Sequence, residues 1–454
     1  MISIKMPWLI SRRFTLLSSF LDFILAIIFF SKLQFKSVSQ SYYLIWIAIS
    51  IVWIFVSYII GRYSRQDNSY SIIFLRNSLA IIFAIVFCSV FFFLYSLGFI
   101  YLIRFESYDF FYEIYKLSLK FFVCSFLIQT NINLLTKKLF KTRNLWFFSG
   151  EEDSYLKLEQ YIKCSRINLK LKKLNLQDLN LNNLSGVNGI VLEDVDLIPN
   201  ENLETLLTLK SKGIKTLSIF EWCEMILQRY PSKLVNSEDI VTKSFTSKKK
   251  SAELRLKRIA EFIISILLII LTFPLILLAA ILIKIEDNGS FFYSHIRTGY
   301  AGNPFKIYKL RTMRIDAEKG GARWAQKNDP RITKIGSFLR LTRIDELPQL
   351  LSVIKGEMSL IGPRPERPEI ERTLQKKIPN YRLRYLMRPG LSGWAQVNYP
   401  YGASIEDTEN KLSYDLYYLR NFSTFLDILI LFKTIKIVFK ASGSTPNTMS
   451  KELK

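Results

Sequence analysis

Four long apolar runs crowd the first 140 residues, and they constrain this chain more than any other feature. Residues 14–31 are apolar apart from Asp22, and residues 41–61 and 77–103 carry no charge. Each is long enough to cross the roughly 30 Å hydrocarbon core of a bilayer as a helix. A fourth run, 110–136, holds Glu113, Lys116 and Lys120, so its second half carries the membrane signal. The first run is too long for a signal-peptide core and has no small-residue cleavage site, so it reads as a retained anchor. Basic residues in the short loops set the expected orientation. Lys5, Arg12 and Arg13 precede the first run, Arg62, Arg65 and Arg76 fall between the second and third, and Lys137, Lys138, Lys141 and Arg143 follow the fourth. The other side has Lys32, Lys36, Arg104 and Lys116. Residues 1–140 are therefore expected to form four transmembrane helices, with both ends and all later residues cytoplasmic. Asp22 is the lone mid-span acid, and no chain of polar residues marks a pathway, so an anchor fits better than a transporter.

Charge closes off other classes. The formal charge of +24 is spread over both halves of the chain rather than gathered in one basic arm, which argues against a nucleic-acid partner. One histidine, His295, and four scattered cysteines, Cys88, Cys124, Cys164 and Cys223, leave almost no basis for a zinc site, a disulfide framework or His-based acid–base chemistry. Catalysis must rest on carboxylates, Lys, Arg, hydroxyls or a bound metal.

Residues 141–245 alternate between strand-like and helix-like segments. The strand candidates are 145–149, 168–174, 189–192 and 215–219, and the helix candidates are 153–164 and 200–212. The pattern indicates a parallel sheet, a degenerate Rossmann-like α/β domain. The turn after the first strand reads Phe147-Phe148-Ser149-Gly150-Glu151-Glu152, one Gly followed by two acids that would repel a pyrophosphate. A regulatory or packing domain is expected rather than a dinucleotide site. The Leu/Asn-rich stretch 169–184 is a single imperfect copy and makes no solenoid. Residues 244–251, with Lys248, Lys249 and Lys250, read as a basic linker.

Residues 262–283 carry no charge, yet both flanks are basic: Arg255, Lys257 and Arg258 before, Lys284, Arg297, Lys306, Lys309 and Arg311 after. Both ends ask to be cytoplasmic. Pro274 removes a helix hydrogen bond near the middle, and Thr272 can offer a side-chain partner to a freed backbone group. A re-entrant helix follows, broken at Thr272 and Pro274; a kinked ordinary span is the alternative.

Beyond Ser251 the share of Arg among the basic residues rises, as expected where planar donors recognise phosphate, and there is no Walker loop. The densest segment is Arg340-Leu341-Thr342-Arg343-Ile344-Asp345-Glu346-Leu347-Pro348-Gln349-Leu350. It places Asp345 at an N-cap with Pro348 in the first turn, where helix field and flanking Arg would keep the carboxylate ionised. An ionised Asp among Arg is a candidate nucleophile toward phosphorus, and Glu346 a candidate Mg²⁺ ligand. The roles of the two acids can also be exchanged. Tyr308-Lys309-Leu310-Arg311-Thr312-Met313, Gly362-Pro363-Arg364-Pro365 and Arg388-Pro389-Gly390-Leu391-Ser392-Gly393-Trp394 each present a basic residue, the last two stiffened by Pro.

In this order, these segments resemble the bacterial sugar transferase family, the monotopic polyprenyl-phosphate phosphoglycosyl transferases that start exopolysaccharide or O-antigen repeat units. The likeness covers about residues 257–440: Lys257-Arg258, the apolar hairpin, Asn303-Pro304-Phe305, Lys309 to Met313, Asp345-Glu346-Leu347-Pro348-Gln349, Ser359 to Pro365 and Arg388-Pro389-Gly390. The four spans and the α/β middle look like the large subgroup of that family. The chain departs in having Phe273-Pro274 where the family has Ser-Pro, and in its poor Gly turn. The resemblance implies a mostly α catalytic domain over 246–454 with a re-entrant helix at 262–283. It implies a cytoplasmic-face enzyme of the bacterial inner membrane that transfers sugar-1-phosphate from a UDP-sugar to undecaprenyl phosphate through an aspartyl intermediate on Asp345. Glu346 would bind Mg²⁺, and Lys309, Arg311, Arg340, Arg364 and Arg388 would hold phosphates. Residues 414–440 could dock on the membrane lipid. A polysaccharide-assembly scaffold without catalysis is the alternative. The sugar, the glycan and any homo-oligomer stay open.

Overall fold

The structure is a computed structural model, and it describes residues 7–31, 40–64, 70–96, 108–139, 145–165, 169–174, 187–193, 200–234, 252–317, 329–399, 402 and 404–439. The expected linker at 244–251, the boundary between 245 and 246, most of the Leu/Asn-rich stretch and the loop basics Lys5, Lys32, Lys36, Arg65, Arg104, Lys141 and Arg143 lie outside the described residues. The chain divides into two compact units, residues 8–143 and a second formed mainly by 144–454.

In the first unit the four apolar runs become helices α1 (Arg13–Ser31), α2 (Gln40–Ile60), α3 (Tyr70–Ser96) and α4 (Tyr108–Leu139). Phe121 is the hub of their packing, its ring edge-on to Phe29, Trp46 and Trp53, while Ala80 and Ala84 let α3 approach closely. Among the described residues, two stretches in the whole chain are long and apolar enough to cross a membrane, Tyr115–Leu135 here and Ala252–Asp287 in the second unit. Shorter apolar stretches are Ile49–Ile60 and Ser71–Val86.

Asp22 is not isolated. Its carboxylate pairs with Arg62 at 3.2 Å and accepts from Tyr63 and Ser125 at 2.7 Å and from Gln129 at 3.2 Å. Arg62 also donates to Asn77 at 2.7 Å and to the Ser125 carbonyl at 2.5 Å. The network ties α1, the end of α2, α3 and α4 together. Arg62, counted above as a loop charge, is thus buried and neutralised. A buried charge must be paired or its burial is prohibitive, and that requirement outweighs its place in a loop.

The second unit opens with β1 (Leu145–Ser149), α5 (Glu152–Lys163), β2 (Lys170–Lys173), β3 (Val187–Leu192), α6 (Asn200–Ser211) and β4 (Lys215–Ser218). The four strands form a wholly parallel sheet in the order β2-β1-β3-β4. Crossing from β2 to β3 past β1 makes a topological switch point where a doubly wound sheet would hold a ligand. Here the chain fills it. Glu193, just after β3, accepts from the Glu151 backbone N–H and the Ser154 hydroxyl at the start of α5. A Cβ on Gly150 would sit 2.2 Å from the Glu193 Oε2. A protein carboxylate therefore occupies the helix start that a phosphate would need.

Residues 219–234 lead from this sheet onto the C-terminal part. Tyr230 N–H donates to the Ser413 carbonyl at 2.8 Å, Trp394 Nε1 to the Gln228 carbonyl at 3.0 Å, and Tyr161 Oη to Glu409 at 2.9 Å. Helix α7 (Ala252–Asp287) then runs 36 residues as one element with Pro274 inside it, not broken at Thr272 and Pro274 as expected. Thr272 Oγ1 donates to the Leu268 carbonyl at 2.6 Å. That is not the Ile270 carbonyl which Pro274 leaves without its donor, so Thr272 is not the partner of the freed group that was expected. Both arms of α7 meet the same body. Lys257 Nζ reaches the Ile361 carbonyl and the Asp427 carboxylate, each at 2.9 Å, and Arg258 donates to the Ile354 carbonyl at 2.8 Å. Ala279 and Ile283 pack with Leu310 and Leu339. Between the arms Ile270, Leu271 and Phe273 are bare, Leu271 at 75% exposure.

The remaining elements are a hairpin, β5 (Phe292–Thr298) and β6 (Pro304–Leu310), then α8 (Lys334–Thr342), α9 (Leu350–Lys355), β7 (Ser359–Ile361), α10 (Pro368–Lys377), β8 (Gly390–Ser392), α11 (Trp394–Asn398), α12 (Ile405–Asn421) and α13 (Thr424–Phe439). Strands β7 and β8 pair in parallel, bringing residues 359–361 beside 390–392. Helix α13 buries Leu426 and Ile430 and leaves Phe425, Ile428, Phe432 and Phe439 exposed.

Losing the Glu193 carboxylate strands two donors at the start of α5, at a cost of about 1 kcal/mol. Glu193→Ala should lower the melting temperature of the detergent-solubilised protein by about 2 °C. Gly150→Ala should act in the same direction, and a rise in either variant would contradict the plugged switch point.

Candidate active site

Asp345 and Glu346 are placed by a reversal of the chain without glycine. Helix α8 ends at Thr342, and Arg343 takes a left-handed conformation (φ 61°, ψ 14°) that turns directly into a 3₁₀ helix, Ile344–Gln349, continued by α9. Asp345 is therefore the second residue of a tight turn, and Arg343 stands at the cap where Asp345 was expected. Pro348 sits inside the turn as anticipated. Leucines that would face a regular helix are instead shared: Leu350 is buried, and Leu351 is exposed.

Both acids are nearly closed off from solvent, at 6% and 8% exposure. Their surroundings differ. Glu346 Oε1 receives Lys309 Nζ at 3.0 Å and Arg364 at 2.5 Å, and its Oε2 faces Arg343 at 3.5 Å. Arg364 and Lys309 lead the charges that hold Glu346 well below the usual carboxylate range despite its burial. Asp345 goes the other way. Burial first, and then the Glu346 charge, push it up to about 6, although Lys309, Arg340 and Arg343 pull down. The expectation that flanking Arg keep Asp345 strongly acidic is thus corrected, because burial and the Glu346 charge outweigh them. Asp345 Oδ1 is buried and has no hydrogen-bond partner. An unpaired oxygen on a carboxylate near neutrality is suited to attack, and a fully engaged one is suited to hold its neighbours.

The two acids open onto a cavity of about 340 Å³. Of the residues singled out in sequence, Lys309, Arg311, Arg340 and Arg364 line it with Asp345 and Glu346. Arg311 is paired with Asp287 at the end of α7. Arg340 Nε donates to Thr312 Oγ1 at 2.8 Å. Arg388 is not among the lining residues. It is exposed and lies within electrostatic reach of Arg258 at the head of α7. Pairing of β7 with β8 fixes the backbone of residues 388–390, and a rigid loop says nothing about which way its side chain leaves. Thr272 and Pro274 lie far along the bare arm of α7 and take no part in the cavity.

Several lining residues were not anticipated. Tyr293, His295 and Arg297 alternate along β5, and cross-strand pairing sets Lys309 opposite Tyr293 on the same face. Helix α12 adds Thr408, Lys411 and Asp415, and the turn before β8 adds Arg384. The period-2 alternation in β5 is readable in sequence, whereas the α12 stripe looks like any solvated helix face. Asp415 is paired with Arg384 at 3.2 Å, and burial pushes it up to about 6. His295 accepts from Arg297 Nε at 2.6 Å. Burial and four surrounding cations push it down to about 2, so it is a neutral ring and no acid–base catalyst near pH 7.

The expected Mg²⁺ ligand, Glu346, has both oxygens facing basic side chains, and the described residues contain no group of three His, Cys, Asp or Glu side chains able to hold a metal by themselves.

Residues 252–441 match the model of the bacterial sugar transferase family. The chain is 44% identical over 189 residues to a UDP-N-acetylgalactosamine-undecaprenyl-phosphate N-acetylgalactosaminephosphotransferase of Aeromonas hydrophila, a match covering 42% of this chain and 45% of that protein. It is 40% identical over 181 residues to a UDP-glucose:undecaprenyl-phosphate glucose-1-phosphate transferase of Caulobacter vibrioides, covering 39% of this chain and 68% of the relative. It is 32% identical over 320 residues to an uncharacterized sugar transferase of Haemophilus influenzae, covering 64% and 66%. The chain thus spans under half the length of the first of these relatives.

Removing the cation that most lowers Asp345 tests the electrostatics. Lys309→Met should raise the Asp345 pKa by roughly one unit, as expected for losing one partly buried neighbouring charge. Infrared difference titration of the carboxyl band, with Asp345→Asn as the subtraction reference, reads the shift; an unmoved or lowered titration would contradict the assignment.

Proposed function

The chain belongs to the bacterial sugar transferase family, and from that premise we propose that it transfers a sugar-1-phosphate from a UDP-sugar to undecaprenyl phosphate. The observation that carries the proposal is the Asp345 carboxylate, with one buried oxygen unpaired, in a cation-lined cavity beside a neighbour clamped by three basic side chains.

The chemistry divides into two displacements at one phosphorus. An Asp345 oxygen attacks the β-phosphorus of the UDP-sugar. The bond from that phosphorus to the bridging oxygen breaks, and UMP leaves with the electron pair. A phosphate oxygen of undecaprenyl phosphate then attacks the same phosphorus, the aspartyl–phosphorus bond breaks, and the carboxylate is restored as undecaprenyl-diphosphate-sugar departs. Neither nucleophile needs a general base, which agrees with the absence of a titrating histidine. Lys309, Arg340 and Arg364 stabilise charge on the transferring and leaving phosphates. Glu346 gathers cations around Asp345 rather than attacking. The exchanged assignment, with Glu346 as nucleophile, is disfavoured by the three cations on its oxygens.

Helix α7 brings the site to the lipid. Its arms grip one body and its apolar middle is bare, which supports a re-entrant insertion into one leaflet, with α13 lying at the same surface on its exposed Phe and Ile side chains. We place the catalytic face in the cytoplasm of a bacterial inner membrane, with α1 to α4 as spans. The reaction would be the first membrane step of exopolysaccharide, capsule or O-antigen synthesis. Relatives are named for different sugars, N-acetylgalactosamine and glucose, so the substrate class is a UDP-hexose or its N-acetylated form.

Asp345→Asn should lower UMP release at least about 10³-fold and abolish the phosphosugar adduct on the 340–350 peptide in mass spectrometry. An adduct that persists there would remove Asp345 as nucleophile. Because the Asp345 pKa is raised to about 6, its reactive anion is lost as pH falls through that value. The rate of UMP release should drop about tenfold per pH unit well below 6 and be flat above 7; a rate that holds to pH 4 would refute the assignment.

A further inference from the structure

The cavity has one lip that differs from the rest of its wall. Arg314 and Ile315 line it just past β6, and Ile437 of α13 lines it as well. Arg314 is exposed, and among the described residues its guanidinium has no carboxylate partner, unlike Lys309, Arg311 and Arg364. The backbone beneath it is fixed, since Arg314 N–H donates to the Arg331 carbonyl at 2.9 Å and Met313 bridges to Ile332. Ile315 is 71% exposed, yet its Cδ1 would lie only 2.8 Å from a Cβ on Gly289. The side chain therefore lies over the backbone where α7 leaves its apolar stretch. Ile285 on the last turn of α7 is 73% exposed, and Phe291 is exposed beyond it.

A free cation at the edge of a phosphate-handling cavity, set in exposed apolar side chains at the end of the membrane helix, matches an amphiphile with an anionic head and a hydrocarbon tail. A nucleotide-sugar has the anion but no tail. Resting on the transferase reading above, we propose that this lip is the port for the acceptor lipid, with Arg314 receiving the phosphate monoester of the polyprenol and Ile315, Ile285 and Phe291 carrying the first prenyl units. The charge draws the phosphate out of the interface, and the apolar collar keeps the chain in contact with lipid while the head advances toward Asp345. The donor needs no part of this lip, so the two half-reactions should separate here.

The experiment uses the full chain in nanodiscs and the UDP-sugar that gives a stoichiometric UMP burst in the wild type without acceptor. Arg314→Gln should keep the burst amplitude and rate and raise KM for undecaprenyl phosphate about tenfold, with Arg314→Lys recovering most of the loss. Ile315→Asn should raise KM for undecaprenyl phosphate and for a short prenyl phosphate alike, since both present the same first units, and should leave the burst unchanged. An unchanged acceptor KM in Arg314→Gln overturns the inference. So does a burst that slows in that variant, which would assign Arg314 to the donor. A wild type with no burst from any UDP-sugar would instead overturn the transferase reading on which the inference rests.

Discussion

Three basic side chains converge on one buried carboxylate, and the chemistry of the site depends on that convergence. Lys309 comes from β6, Arg364 from the loop after β7, and Arg343 from the left-handed residue that ends α8. Without an acid between them they would repel, and each would have to stay in water. Glu346 lets them gather half-buried, and it does so without consuming the acid beside it. Local charge stays positive after the pairing, which suits a phosphate ligand. Asp345 is left with the opposite balance, since it is as buried as Glu346 and lies against its negative charge. Two adjacent carboxyls are thereby driven apart in acidity by surroundings that differ only in who holds the cations.

The clamp is itself tied to the α/β part of the unit. Arg384 donates to the Arg364 carbonyl at 2.6 Å and pairs with Asp415 on α12. Along the same helix Glu409, Asn410 and Ser413 receive Tyr161, Arg229 and Tyr230. One helix thus presents a face to the cavity and a face to α5 and the 219–234 segment. These brace α12, and α12 holds the arginine that fixes the Arg364 backbone.

What could be read in sequence was what depends on order along the chain. The alternation over 145–218 gave the parallel sheet to within two residues at most strand and helix ends, because each segment is short and bounded by turns. The Asp345-Glu346 pair stood out because charged and apolar residues are packed so densely around it. What failed depends on depth and direction. The protonation of Asp345 was misjudged because burial is not visible in a string of letters, and it outweighs the adjacent arginines. Arg388 was placed in the cavity because proline-stiffened loops look purposeful, but stiffness does not aim a side chain. Arg62 was counted as a loop charge because its partner, Asp22, is forty residues away. Lys411 and Asp415 gave no signal, since a polar stripe on a helix is the ordinary appearance of a solvated face, and Arg384 in its turn gave none either.

The proposed two-step chemistry would also account for a cavity with cations on several walls. In-line displacement puts the attacking and leaving oxygens on opposite sides of phosphorus. If Asp345 takes one side, UMP must leave by the other, and the lipid phosphate must later arrive along the line UMP vacated. One volume therefore has to serve a departing nucleotide and an arriving lipid in turn, and it must stay attractive to phosphate between them. Arg340, Arg367 and Arg384 come from other elements and extend the positive surface around the space a phosphate would cross. A site of this kind would gain nothing from closing tightly on one substrate, because it would have to admit a nucleotide and a lipid phosphate in turn.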